Sequence, residues 1–165
     1  MTEPHDHVAR IQEAWRRERP DLDPSPMGVI GRLHLVAGRL TDELVAVYGQ
    51  HALGEGDFDA LAALRRAGAP YERTPGELAQ HTMVTTGGMS KRIDRLEAAG
   101  LVSRRASTTD RRGRVVALTP AGLERIDAAI ADHLANERRL VGELSPADAK
   151  ELERILTDWL ARLGG

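Results

Sequence analysis

Apolar positions along the chain recur mostly at helical spacing. Between Met27 and His51, residues Ile30, Leu33, Ala37, Leu40, Leu44, Val47 and Tyr48 fall three or four apart, which predicts a long amphipathic helix. A helix is expected before it, from about Glu3 to Arg19. Pro20 ends that helix, and a loop rich in Pro and Asp follows through Pro26. Gly54-Glu55-Gly56 breaks the long helix. Phe58, Leu61 and Leu64 then mark a short one over Asp57 to Ala67, closed by Gly68. Further helices are predicted from Thr74 to about His81, and from Thr85 or Thr86 to Gly100, where glycine suits the position after a helix. The last stripe is Leu152, Ile155, Leu156, Trp159, Leu160 and Leu163.

Capping signals fix where these helices start. Thr74-Pro75-Gly76-Glu77 and Ser145-Pro146-Ala147-Asp148 each place a hydroxyl cap, a proline in the first turn and an acid three residues after the cap. Thr119-Pro120 repeats the cap and proline. Between Gly100 and Thr119 the period changes. Leu101 to Arg105 and Arg114 to Leu118 have strand character, and the polar stretch Ala106 to Gly113 joins them, which predicts a β-hairpin with a basic tip. Helix, short turn, helix and hairpin is the winged helix-turn-helix order. The expected fold is mainly α with a small β-hairpin wing. It is a single domain over 1–165, with helical regions 1–52 and 120–165 flanking a winged helix-turn-helix region at 53–119.

At 165 residues, 41% hydrophobic and 29% charged, the composition is that of an ordinary globular protein. No apolar run approaches the ~20 residues that span a bilayer, and Glu3 and Asp6 in the first ten residues argue against a signal peptide, so a cytoplasmic, membrane-free protein is expected. The absence of cysteine excludes disulfides, thiolate metal sites and thiol redox switches. The six histidines show no metal-ligand spacing, so neither metal nor cofactor is expected. No nucleophile–base–acid array, phosphate loop or metal motif supports an enzyme, and Gly87-Gly88 is too short for a nucleotide signature.

The net charge of −2 hides a polarity along the chain. Residues 85–114 hold eight basic and three acidic side chains, a local +5, while the remainder holds 15 basic and 22 acidic, or −7. A concentrated basic segment on an acidic protein is the footprint of phosphate contact. On a helical wheel centred on Met89, Ile93 and Leu96 fall within about 40° and define the buried face of the helix after Thr85. Gly87, Ser90, Lys91, Asp94 and Arg95 lie opposite, free to approach the major groove of double-stranded DNA. Thr86, Gly87, Gly88, Ser90, Lys91 and Arg95 are the candidate contacts on this helix. Arg111, Arg112 and Arg114 are those of the wing, where an arginine can enter the minor groove. A helical protein-interaction module that never touches DNA is the competing reading, and it lacks a reason for the basic concentration.

The run from Phe58 to Gly122 resembles the MarR-type winged-helix regulators. The resemblance is carried by Phe58-Asp59-Ala60-Leu61, Thr74-Pro75-Gly76-Glu77-Leu78-Ala79, Arg95-Leu96-Glu97-Ala98-Ala99-Gly100-Leu101-Val102 and, most strongly, Asp110-Arg111-Arg112-Gly113-Arg114 through Gly122. It implies a transcriptional repressor, an obligate homodimer with intertwined terminal helices, a palindromic operator and release by a small ligand. The apolar stripes at both ends exceed what a small winged-helix core covers, which independently favours a homodimer.

Trp15-Arg16-Arg17-Glu18-Arg19-Pro20-Asp21-Leu22-Asp23 and Thr86 through Leu96 further resemble the urate-responsive PecS/HucR-type subgroup. That resemblance implies ligand-binding roles for Trp15, Asp59 and Arg92. The wheel turns Arg92 toward the protein body, about 60° from the apolar centre, and puts Asp57 nearer the buried side than Asp59, so both acids stay candidates. Urate, another purine derivative and a phenolic acid all fit the reading, as does a structural Trp15 with an ordinary salt bridge at Arg92. His34, midway along the long helix, is either a pH-sensitive interface group or an ordinary surface histidine.

Overall fold

The computed structural model describes residues 6–82, 86–106 and 114–164. In chain order they form α1 (His7–Glu18), α2 (Met27–Gln50), α3 (Glu55–Arg66), β1 (Glu72–Arg73), α4 (Pro75–Gln80), α5 (Thr86–Ala98), β2 (Val102–Ala106), β3 (Arg114–Leu118), α6 (Pro120–Val141) and α7 (Pro146–Leu163). The chain divides into two compact units, Met1–Glu43 and Leu44–Gly165.

In the first unit α1 starts later than the hydrophobic pattern suggests, because Asp6 is its cap. Its Oδ1 accepts from Ala9 N at 2.8 Å, and the same carboxylate takes Arg32 at 2.7 Å. Those bonds hold the Asp6 carboxyl below the usual carboxylate range, the Ala9 bond first. Val8 is buried beside Gly31, and the buried Gln12 donates from Nε2 to the carbonyls of Pro24 (3.0 Å) and Ser25 (3.2 Å). The turn before α2 is therefore stitched to α1 by a side-chain amide, added to the backbone bonds that the Pro24 and Ser25 carbonyls accept from Met27 N and Gly28 N. The exposed side of this unit carries Trp15, Val29, Ile30, Leu35, Val36 and Leu40, with His34 exposed among them.

In the second unit the core gathers Leu61 and Leu64 of α3, Leu78 of α4, Met89 and Ile93 of α5, Val102 and Val116 of the sheet, and Ile126 of α6, all under 2% exposed. The sheet is antiparallel in the order β1-β3-β2, with Val102 opposite Leu118 and Ala106 opposite Arg114. The predicted hairpin is therefore present, with a third strand, β1, added along its other edge, where Glu72 pairs with Ala117. Thr74 forms the predicted capping box. Its Oγ1 accepts from Glu77 N at 3.2 Å, and Glu77 Oε2 accepts from Thr74 N at 2.7 Å. Thr119 and Ser145 cap α6 and α7 by accepting from Gly122 N and Asp148 N. Gly100 ends α5 at φ +72°, a backbone state that suits glycine.

α3 begins two residues earlier than expected. Gly54 is the cap, Glu55 and Gly56 lie inside the first turn, and Asp57 Oδ2 accepts from Gly54 N at 3.4 Å. α7 contributes no buried residue. Its Leu152, Ile155, Leu160 and Leu163 are exposed, and a groove of about 510 Å³ lined by Val141, Leu144, Leu152, Leu156 and Leu160 runs along it. No helix among the described residues is long and apolar enough to cross a membrane.

Candidate nucleic-acid interface and effector site

α5 presents the two faces that its sequence periodicity predicts. Met89, Ile93 and Leu96 are 1–3% exposed and seat it on α3 and α4. Gly88, Ser90, Lys91, Asp94 and Arg95 are exposed along the opposite side. Thr86 and Gly87 belong to its first turn, with their side-chain environment outside the described residues. Arg111 and Arg112 lie wholly outside them, and Arg114, exposed, opens β3.

The basic segment is partly neutralised by acids that the fold delivers to it. Arg104 of β2 bonds through its guanidinium to both Asp94 and Glu97 of α5, and Glu97 also accepts from Arg104 N at 3.0 Å. The first strand of the wing is thus clamped to the C-terminal half of α5. Arg105 pairs with Glu72 of β1. Arg95 gives Asp57 two hydrogen bonds, Nη2 to Oδ1 at 2.6 Å and Nε to Oδ2 at 3.3 Å. Among the described residues, Lys91 and Arg114 are the basic groups of this segment without an ion pair.

Arg92 behaves differently from the rest. Its side chain is 16% exposed, and Nε stands 3.7 Å from Asp57 Oδ1, near enough for attraction and too far for a hydrogen bond. Buried Nε and Nη1 have no hydrogen-bond partner. The guanidinium lies on the backbone of Gly56: a β-carbon there would fall 1.9 Å from Nη2 and 2.0 Å from Cζ. Only glycine leaves room for it. Asp59, half-buried on the same helix, has its carboxyl pushed up by burial and then by Glu55, against the pull of Arg92, Arg66 and His133. Both candidate acids therefore surround Arg92 electrostatically, and Asp57 is the one in ion-pair range. Arg92 is thus a mostly buried cation with unpaired donors on Nε and Nη1.

Behind this site Tyr48 stacks on Phe58 at 4.2 Å between ring centres and on His133 at 5.7 Å. Tyr48 Oη meets His133 Nδ1 at 3.2 Å, and burial pushes the Tyr48 hydroxyl up to about 12. Trp15, the aromatic candidate, is 47% exposed on α1. Sequence reasoning missed Gly56, Arg104 and this aromatic stack. For Arg104 a signal existed, since Asp94 and Glu97 are spaced three apart on one helix face.

Residues 53–113 match the family model described as MarR family. The transcriptional regulator PecS of Dickeya dadantii is 37% identical over 149 residues, 90% of each chain. AbsC, a MarR family transcriptional regulator from Streptomyces coelicolor, is 31% identical with a TM-score of 0.72, over 85% of this chain and 95% of its own. A MarR mutant from E. coli solved with operator DNA shares the fold at 24% identity and a TM-score of 0.69, over 88% and 97% of the two chains. The chain belongs to the MarR family and is a DNA-binding transcriptional regulator of the PecS type, not an enzyme.

Proposed function

We propose that the protein is a homodimeric repressor that binds a palindromic operator in the cytoplasm and is released from it by a small planar anion such as urate. The observation that carries the effector is Arg92, a guanidinium held under cover on Gly56 with two donors unspent. An anion that takes those donors competes with Asp57 and repels Asp57 and Asp59, so it acts directly on the attachment of α5 to α3. To switch occupancy it must favour the released conformation by a few kcal/mol. Trp15 joins this reading through the sequence resemblance alone.

DNA contact is assigned to α5 through Thr86, Gly87, Gly88, Ser90, Lys91 and Arg95, and to the wing through Arg111, Arg112 and Arg114. The unburied apolar face of α7 supports the homodimer, because a monomer would leave four large aliphatic side chains of one helix in water. Two-fold pairing would set the two α5 helices about one DNA turn, roughly 34 Å, apart. A purine derivative or a phenolic acid is the second reading for the effector, since Arg92 recognises charge and flatness rather than a ring system.

The test is a mobility-shift titration on DNA from upstream of the protein's own gene, with and without urate. The expected result is tight binding that urate releases, and that it no longer releases in Trp15→Ala or Arg92→Ala protein. Binding indifferent to urate and released by a phenolic acid favours the second reading. Failure to bind any fragment in a genome-wide pool refutes the DNA assignment.

A further inference from the structure

Arg95 and Asp57 form a pair whose chemistry reaches beyond holding two helices together. Arg95 is on the outward side of α5 and its side chain is 61% exposed, whereas that of Asp57 is 13% exposed. Asp57 sits in the first turn of α3, whose Phe58, Leu61 and Leu64 are core residues, and its Oδ2 also accepts from Gly54 N. The carboxylate is therefore a fixed point and the guanidinium a projecting one. An exposed arginine ordinarily samples many rotamers, and ordering it on DNA costs side-chain entropy. Here that ordering is done in advance.

The bonding pattern decides what the ordered side chain can still do. A guanidinium has five N–H donors. Asp57 takes one on Nε and one on Nη2, along one edge of the fork. The end formed by Nη1 and the second Nη2 hydrogen stays free, and it offers two parallel donors. In the major groove, the pair of adjacent acceptors that this end matches is O6 and N7 of guanine. A phosphate would accept from the same donors, but the nearby Asp57 charge weakens an attraction that depends on net positive charge. Lys91, on the same face and without an ion pair among the described residues, is the better phosphate ligand.

We propose that Asp57 is a positioning residue for DNA reading, holding Arg95 so that its free end recognises a guanine of the operator. The proposal rests on α5 being the helix that enters the groove. It also assigns Asp57 a role separate from the effector, carried through Arg95 rather than Arg92.

A double-mutant cycle tests it. The wild-type protein first selects its preferred site from a random duplex pool, and affinities for that site and for an unrelated duplex are then measured for wild type, Asp57→Asn, Arg95→Ala, Arg95→Lys and the Asp57→Asn/Arg95→Ala double variant. Asparagine keeps the shape of Asp57 and an oxygen for Gly54 N, and circular dichroism checks each fold. Arg95→Ala is expected to lower the ratio of specific to unrelated binding about 10- to 100-fold, and Arg95→Lys nearly as much because it lacks the fork. Asp57→Asn should lower that ratio at least about fivefold while leaving unrelated binding equal or tighter, since an acid has been removed near phosphate. In the Arg95→Ala background, Asp57→Asn should cost nothing further. An equal loss in both backgrounds, or a gain of specific affinity in Asp57→Asn, overturns the proposal while leaving the regulator reading intact. Failure of the wild type to select any site overturns both.

Discussion

A methyl group at position 56 would stand 1.9 Å from Arg92 Nη2, 2.0 Å from Cζ and 2.6 Å from Nε. Ordinary contact between such atoms is about 3.5 Å, so in Gly56→Ala the guanidinium must retreat by about 1.5 Å. The backbone has no reason to move, because a flexible side chain is what blocks the space. Two stability effects oppose each other. Alanine is the better helix former inside α3 by about 1 kcal/mol. Attraction between Arg92 and Asp57, about 4 kcal/mol at their separation with an effective dielectric near 20, falls by roughly a quarter over the added distance. Release of a buried guanidinium toward water offsets part of that loss. The melting temperature should therefore stay within about 3 °C of wild type, the scale of ~1 kcal/mol in a chain of this size. Affinity for urate, the proposed effector, should fall. A charge-assisted hydrogen bond lost from a site is worth about 1.5–3 kcal/mol, or roughly 10- to 150-fold in affinity. Calorimetric titration with urate, paired with mobility shifts, measures both halves. Gly56→Ala protein that binds urate as tightly as wild type would show that the covered position of Arg92 is not the ligand-binding one.

Three further predictions follow from the same structure. The Asp59 carboxyl is raised in the folded protein, so the native state holds its proton more firmly than the unfolded chain; that contribution is complete in acid and lost as pH rises through the folded value. Asp59→Asn should therefore raise the melting temperature at neutral pH and have no such effect near pH 4 or below, and an equal rise at both would contradict the assignment. Arg104→Met should lower the melting temperature by a few degrees and weaken DNA binding beyond that loss, because it unclamps β2 from Asp94 and Glu97; unchanged DNA affinity would count against the clamp. Leu160→Glu should leave the monomer fold intact, its side chain being exposed, and abolish the proposed dimer in analytical ultracentrifugation; a dimer that persists in the variant would count against α7 as its interface.

Local rules made much of this architecture legible. The capping box at Thr74, the glycine stop at Gly100 and the buried triplet Met89, Ile93 and Leu96 depend on neighbours within one turn, so the sequence displays them directly. β1 was not legible. Two residues, Glu72 and Arg73, carry no alternation, and they are a strand only because β3 pairs with them. The charge of the reading segment was legible in number and not in effect. Asp57 and Glu72 lie outside residues 85–114, yet they neutralise Arg95 and Arg105 within it. Gly56 read as a helix breaker, since nothing local reveals that an arginine thirty-six positions later needs its missing side chain. The apolar stripe of α2 was correctly seen as apolar, but Ile30 and Leu40 stay exposed in the single chain, and only Val47 and Tyr48 are buried there.

The two tryptophans of the chain fall one to each compact unit, Trp15 in the first and Trp159 in the second. Trp159→Phe leaves a protein whose indole emission comes solely from α1, and Trp15→Phe one that glows only from α7. Because Trp15 is nearly half exposed, its emission lies toward the red and is open to quenchers in solution. Unfolding of either unit, a ligand arriving on α1, or a partner covering α7 can thus be followed by colour and intensity, with no label attached.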